Sequence, residues 1–187
     1  MFDNIRADYQ RYVDTHREEP AWLATLRSLL TYGFLATVVY RFGRWTRGIR
    51  PRWLSYPFKL VYALASTVID ILFGINFSTN AEIGPGLYIG HFGGIFLHGN
   101  MGRQCSVGQG VTIGYKGAGK SNGVPHIGDG VYVGAGAVVI GDIKIGNRVV
   151  IGANTTVVKD VPDGYRVVGA ASRMAPQEAP PDPASDA

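Results

Sequence analysis

Four histidines, one cysteine and fourteen carboxylates are the side chains that could move a proton, attack a carbonyl or hold a metal. No His, Cys or carboxylate pair stands at ligand spacing, so no metal site is expected. No Ser-His-Asp hydrolase elbow is present either. His91 lies in Gly90-His91-Phe92-Gly93-Gly94, where glycines flank a lone imidazole. An imidazole titrates near neutrality and is the natural base for an alcohol that loses its proton while attacking a thioester carbonyl. The competing reading is an exposed histidine without a role. His98 reads as a surface residue, and His16 sits in a charged segment with no chemical case. The run Gly114-Tyr115-Lys116-Gly117-Ala118-Gly119-Lys120-Ser121 satisfies G-x-x-x-x-G-K-S. A phosphate loop also needs a strand before it and a helix after it. Here Asn122-Gly123-Val124-Pro125 follows, so nucleotide hydrolysis is not expected.

The elements that must position these residues are set by an aliphatic residue at every sixth position. The anchors are Ile83, Ile89, Ile95, Met101, Val107 and Ile113, then Ile127, Val133, Val139, Ile145, Ile151 and Val157. Helices ask for spacings of three and four, and half-buried strands for two. Period six fits a parallel β-helix of short strands and glycine-assisted corners, three hexads to a coil. About four coils are expected, with Cys105 as a small core residue. Ile113 and Ile127 stand fourteen apart, eight more than a hexad, so eight residues must leave the prism as a loop.

The hexads, Gly90 to Ile95, the loop 114–126 and Val158-Lys159-Asp160-Val161-Pro162 resemble the hexapeptide-repeat acyltransferases, specifically the serine acetyltransferase-like branch. The resemblance covers about Asn76 to Met174. It implies a left-handed coil, which breaks the usual right-handed crossover rule. It implies acetyl-CoA as acyl donor, His91 as general base, and an oxyanion met by the backbone N–H of Tyr115. Gly117, Gly119, Lys120, Ala135 and Ala153 are implied to line the coenzyme A channel. A homotrimer, with trimers able to pair, would draw each site from two chains.

Three positions depart from that pattern. The aspartate that precedes the family's histidine is Gly90 here, and the aspartate fifteen residues earlier that orients the imidazole is Asn76. The loop histidine that grips the serine carboxylate falls on Val124. His126 either takes over that acceptor contact or is an ordinary loop residue. The departures remove groups that recognise an amino acid and keep the one that activates a hydroxyl. The expected acceptor is therefore a sugar hydroxyl of a cell-surface polysaccharide, as in the acetyltransferases of exopolysaccharide clusters. L-serine is the alternative, and a non-catalytic β-helix scaffold is the rival from another class.

Residues 1–75 read as helical and oily: a polar helix from Asp3 to Arg17, an apolar one from Ala21 that bends or ends at Gly33, a third to Thr46, and a last from Tyr56 to Phe73. On the third, Phe34, Leu35, Val38, Val39, Phe42 and Trp45 form the apolar side. The uncharged run Ser28 to Tyr40 is thirteen residues, short of the roughly twenty that span hydrocarbon. Packing or interfacial helices are expected rather than spans. The net charge is +4, with ten basic and six acidic residues up to Ile75 and eight of each afterwards. Six cations and no acid lie between Arg41 and Lys59. Such a stretch suits either an anionic membrane surface or a solvated face of an oligomerisation domain, and nucleic acid is not the expected partner. One cysteine excludes an internal disulfide, and with no apolar leader near Met1 a cytoplasmic protein is expected, either free or held at the inner membrane face. The domain reading is a helical region 1–75, a mainly β domain 76–174 with the extruded loop, and a Pro- and Ala-rich disordered tail 175–187.

Overall fold

The computed structural model describes residues 1–117 and 123–169. Gly119 and Lys120, the end of the expected return to Met174 and the tail 175–187 lie outside them. Four helices precede the prism: α1 (Phe2–Thr15), α2 (Ala21–Leu30), α3 (Tyr32–Thr46) and α4 (Tyr56–Phe73), the last entered through a 3-10 turn at Arg52–Ser55. The break after α2 falls at Thr31, with extended backbone (φ −68°, ψ 125°), and not at Gly33. Gly33 instead lies inside α3, where the helix presses on the prism: a Cβ there would stand 2.4 Å from the Ile89 carbonyl oxygen. Gly74 ends α4 in the left-handed conformation that glycine favours, its N–H donating to Asp70 O at 3.0 Å.

Among the described residues, thirteen short parallel strands then wind into three faces. The first face stacks β1 (Ile75–Phe77), β3 (Ile95–Leu97), β6 (Thr112–Gly114), β9 (Val138–Ile140) and β12 (Thr156–Val157). The second stacks β4 (Asn100–Met101), β7 (His126–Ile127) and β10 (Lys144–Ile145). The third stacks β2 (Tyr88–Ile89), β5 (Ser106–Val107), β8 (Tyr132–Val133), β11 (Val150–Ile151) and β13 (Arg166–Val167). On the regular coils partners are 18 residues apart in register, as in Ile89↔Val107 and Val133↔Ile151. Across the loop they are 26 apart, as in Val107↔Val133, so eight residues are extruded. Every hexad anchor from Ile83 to Val157 is buried.

Strict period six slips at two places, in the last turn, where Ile151 pairs with Val167 only 16 residues on, and beside His91. Leu97, rather than Ile95, pairs with Ile113, so the corner between β2 and β3 carries two residues more than a hexad allows. The surplus residues are His91 and Phe92, because Gly93 bonds to Gly110 N as Gln109 bonds to Gly136 N, and Gly94 (φ 65°) repeats the left-handed corner of Gly110 (φ 67°) and Gly136 (φ 68°). His91 sits in that enlarged corner.

The helices grip the prism through apolar and polar contacts together: Ala36, Tyr40 and Ile69 join the prism's core, and Tyr40 stacks on Phe77 with ring centroids 4.8 Å apart. α3 buries Phe34, Ala36, Thr37, Tyr40 and Arg41, while Leu35 and Trp45 of the expected apolar side are exposed. Tyr40 donates its hydroxyl to Ala81 O (2.7 Å) and accepts from Ile83 N (3.2 Å). Arg41 and Asp8 form a buried, two-pronged ion pair at 2.9 and 3.1 Å. These contacts satisfy backbone groups at the open end of the first coil, which would otherwise be buried without partners.

Candidate active site

The register that aligns Ile89, Val107, Val133 and Ile151 carries on into Gly90, Gly108, Gly134 and Gly152 at one edge of the prism. The hydrogen bonds from Gly110 N to Gly93 O, from Gly136 N to Gln109 O and from Asn154 N to Ala135 O set Gly93, Gln109, Ala135 and Ala153 on successive rungs of that edge, so His91 and Phe92 are the two surplus residues and bulge out of its first rung. The rungs approach closely: a Cβ on Gly108 would lie 2.7 Å from Ala135 N, and one on Gly134 would lie 2.6 Å from Ala153 N. Only glycine fits there. His91, Gln109 and Ala153 are exposed and Ala135 is half-buried, so the edge lies open from the imidazole past the Gln109 side chain to the two alanines.

Three elements hold the His91 corner. Gly93 N donates to Phe73 O at the end of α4 (2.8 Å), and Gly110 N donates to Gly93 O (2.8 Å). Phe92 packs edge-on against Tyr32 of α3, ring centroids 4.9 Å apart. From α1, the Tyr12 hydroxyl accepts from Ile89 N (2.9 Å) and donates to Ile89 O (3.5 Å), two residues before His91. Burial holds that phenol well above its ordinary pKa, so it stays a neutral donor and acceptor. Neither Tyr12 nor Tyr32 was picked out as positioning this site by period six or by motif; their signal is an aromatic at helical spacing beside a glycine.

Within one chain the Asn76 side chain bonds to Asp70 and His98 and makes no hydrogen bond to His91. Its Nδ2 donates to Asp70 Oδ2 (2.8 Å), and its Oδ1 lies 2.6 Å from His98 Nε2. A carboxylate only accepts, so the amide orientation is fixed; the amide oxygen only accepts, so Nε2 of His98 carries the hydrogen. His98 is thus held in one tautomer with Nδ1 as its available nitrogen, and is not a plain surface residue. The signal for this chain was Asp70, the lone acid of an apolar helix, six residues before Asn76. Among the described residues neither ring nitrogen of His91 has a hydrogen-bond partner.

The other expected site residues lie elsewhere on the chain. The loop leaves at Gly114 on the first face and returns at His126 on the second, so its base marks a different edge from that of His91. Tyr115 is half-exposed there, Gly117 takes a left-handed turn (φ 66°), and Gly114 adjoins His98, a Cβ at Gly114 falling 3.6 Å from His98 Cβ. His126 is exposed on the second face, its Nδ1 3.4 Å from Asn100 Nδ2. It lines a cleft of about 740 Å³ with Met1, Arg44 and Glu82. Within one chain His126 and Tyr115 therefore do not meet His91, because a prism separates its edges. Among the described residues no cluster of His, Cys, Asp and Glu could hold a metal ion.

Residues 125–159 match the family model "Bacterial transferase hexapeptide (six repeats)". The chain is 35% identical over 150 residues to a serine acetyltransferase of Synechococcus elongatus, an alignment covering 78% of this chain and 57% of that protein. It spans little more than half the length of that relative. Among solved structures it resembles Neisseria gonorrhoeae serine acetyltransferase at 29% identity and a TM-score of 0.72, covering 98% of this chain and 67% of that one. A serine acetyltransferase in complex with CoA is similar at 27% identity and a TM-score of 0.72, covering 92% and 68%. These neighbours are left-handed β-helices, and the same hand is assigned to this prism. None of the three is described as acting on a polysaccharide.

Proposed function

Because the chain belongs with the hexapeptide-repeat transferases of the serine acetyltransferase-like branch, we propose that it transfers acetyl from acetyl-CoA to an alcohol hydroxyl, with L-serine as the first acceptor. The observation that carries this reading is the His91 bulge on an open edge that continues through Gln109, Ala135 and Ala153 and suits an extended thioester substrate. His91 takes the hydroxyl proton as the oxygen attacks the acetyl carbonyl. The tetrahedral oxyanion accepts a hydrogen bond from the Tyr115 N–H and collapses, expelling the coenzyme A thiolate, which regains a proton from the imidazolium. No acyl-enzyme is formed.

Since the loop base and His91 occupy different edges of one prism, the site is completed by a neighbouring chain. In a homotrimer, Tyr115, Gly117, Gly119 and Lys120 of one protomer would cover the His91 edge of the next. The Asp70, Asn76 and His98 chain would arrive on the loop side of the same interface, adding a second imidazole of fixed tautomer.

A saccharide hydroxyl is the second acceptor reading, favoured by Gly90 and Val124, which offer neither a carboxylate nor an imidazole to an amino acid. Gly90 has room for one: its Cβ would meet only the Tyr88 ring, at 3.4 Å. The test is thiol release from acetyl-CoA with L-serine and with saccharides, in the parent and in His91→Ala, His98→Ala and Gly90→Asp. His91→Ala should lose about 100- to 10,000-fold in kcat. A loss below about tenfold, or a larger loss in His98→Ala, overturns the assignment of the base. Turnover with saccharides alone overturns serine, and Gly90→Asp should then gain serine turnover.

A further inference from the structure

α4 is amphipathic in the inverted sense. With its 3-10 entry it runs from Arg52 to Phe73, 22 residues of mean hydropathy 1.4 with only 6% of the apolar window buried. At 100° per residue, Leu60, Leu64, Val68 and Ile71 share one stripe flanked by Val61 and Leu72, and all six are half-exposed or more, from 50% to 76%. The opposite side, with Tyr62, Ser66, Ile69 and Asp70, lines a small cavity against α3 and β1. Asp70, the lone acid of the helix, is tied to Asn76 there. The polar side faces the protein and the apolar side faces out. Scattered apolar residues are ordinary on a surface, but a contiguous stripe of this kind marks an interaction site.

We infer that this stripe docks on an anionic lipid surface, with α4 lying in the plane of the interface. The helix does not cross a bilayer, because its inner side is packed along α3 and β1. The choice of a lipid surface rests on what stands at the start of the helix. Arg47, Arg50, Arg52 and Lys59 are exposed there, with Trp53 (68%) and Tyr56 (66%) beside them and no acid between Arg41 and Lys59. Cations and amphipathic rings match a headgroup layer, while the aliphatic stripe matches the acyl boundary below it. A second copy packed in parallel about a threefold axis would instead set these cations against one another.

Docking would bring the His91 corner to the membrane. α4 passes through Gly74 directly into β1, and its last residue, Phe73, accepts the hydrogen bond from Gly93. An acceptor carried at the lipid surface would thus meet the first coil of the prism. The inference stands apart from the choice of acceptor, since lipid binding is read without turnover.

The experiment is flotation of the full chain with vesicles of phosphatidylcholine, with and without phosphatidylglycerol. The parent should rise with the anionic vesicles alone and be released by high salt. Each cation at the surface raises partitioning about fivefold, so Arg50→Ser with Arg52→Ser should weaken binding about 25-fold. Leu64→Glu, at an exposed position, should abolish flotation while leaving the melting temperature and acetyl-CoA turnover unchanged. Failure of the parent to float with anionic vesicles overturns the inference. Leu64→Glu lowering the oligomer mass while vesicle binding persists also overturns it, and assigns the stripe to a second copy.

Discussion

Replacing Asp8 by alanine is expected to be among the most damaging single changes outside the prism core. Asp8 is fully buried and Arg41 is 4% exposed, and their two-pronged contact links α1 to α3. The carboxylate does more than pair a charge: its Oδ1 also accepts from Gly86 N (2.8 Å) and Leu87 N (3.0 Å) on the first coil. Arg41 meanwhile donates to Gly84 O (2.6 Å) and to Ile83 O. Asp8→Ala therefore leaves a guanidinium buried without its counter-ion and two backbone N–H groups without an acceptor. Stranding one member of a buried pair costs about 3–5 kcal/mol, and each orphaned N–H about 1–3 kcal/mol if water cannot reach it. The two retained carbonyls soften the first term, so a total of about 3–5 kcal/mol is expected. At roughly 2–4 °C per kcal/mol for a chain of this size, Tm should fall by about 6–20 °C. The double change Asp8→Leu with Arg41→Met should cost less than the sum of the two single changes, because it strands no charge. The assay is a denaturant titration of the parent, the two single variants and the double, with hydrogen exchange on α1. A loss under about 1 kcal/mol in Asp8→Ala would refute the argument by placing the pair at the level of an exposed ion pair.

Two further changes probe the contacts that hold the site. Gly33→Ala gains helix propensity of about 1 kcal/mol, but its Cβ would stand 2.4 Å from Ile89 O and 2.7 Å from the Tyr12 hydroxyl. Overpacking of about 1–3 kcal/mol should win and shift the His91 corner, so both Tm and kcat should fall, and a more stable variant would contradict the close approach. Burial pushes the Cys105 thiol above its ordinary pKa, and Sγ donates to Gly128 O at 3.3 Å. The thiolate, which is the reactive form, is therefore depleted until pH rises through the elevated pKa. Ellman's reagent should label the native protein at pH 8 only after denaturant is added, and prompt stoichiometric labelling without denaturant would show that the coil opens.

Corner ladders explain why so much of the prism was readable. Asp129 accepts from Arg103 N (2.7 Å), Asn147 from Asp129 N (2.8 Å) and Asp163 from Asn147 N (2.9 Å), each side chain capping the rung beside it. The Asn147 hydrogen bonds hold the Asp163 carboxyl below the usual range. Each rung repeats its neighbour's contacts, so a coil is a local, periodic object. The hexads therefore predicted the strands and core, the spacing from Ile113 to Ile127 predicted the eight extruded residues, and α4 began and ended where its apolar run did.

What the sequence left open depends on contacts between elements distant along the chain. The two-residue surplus beside His91 was invisible, because Ile95 and Leu97 are both aliphatic and either satisfies the hexad. Apolar spacing misjudged the buried side of α3, since Arg41 is buried to satisfy backbone groups of the prism's open end, and Tyr40 both bonds such groups and stacks on Phe77. Whether Asn76 turns to His91 or to His98 could not follow from spacing, because Asp70 claims its amide hydrogens and so aims the carbonyl. The sequence by itself determined the period, the loop and the type of each chemical group. Only the tertiary structure decided which edge each group occupies, because a hydrogen bond selects its partner by direction across space, while a repeat records only distance along the chain.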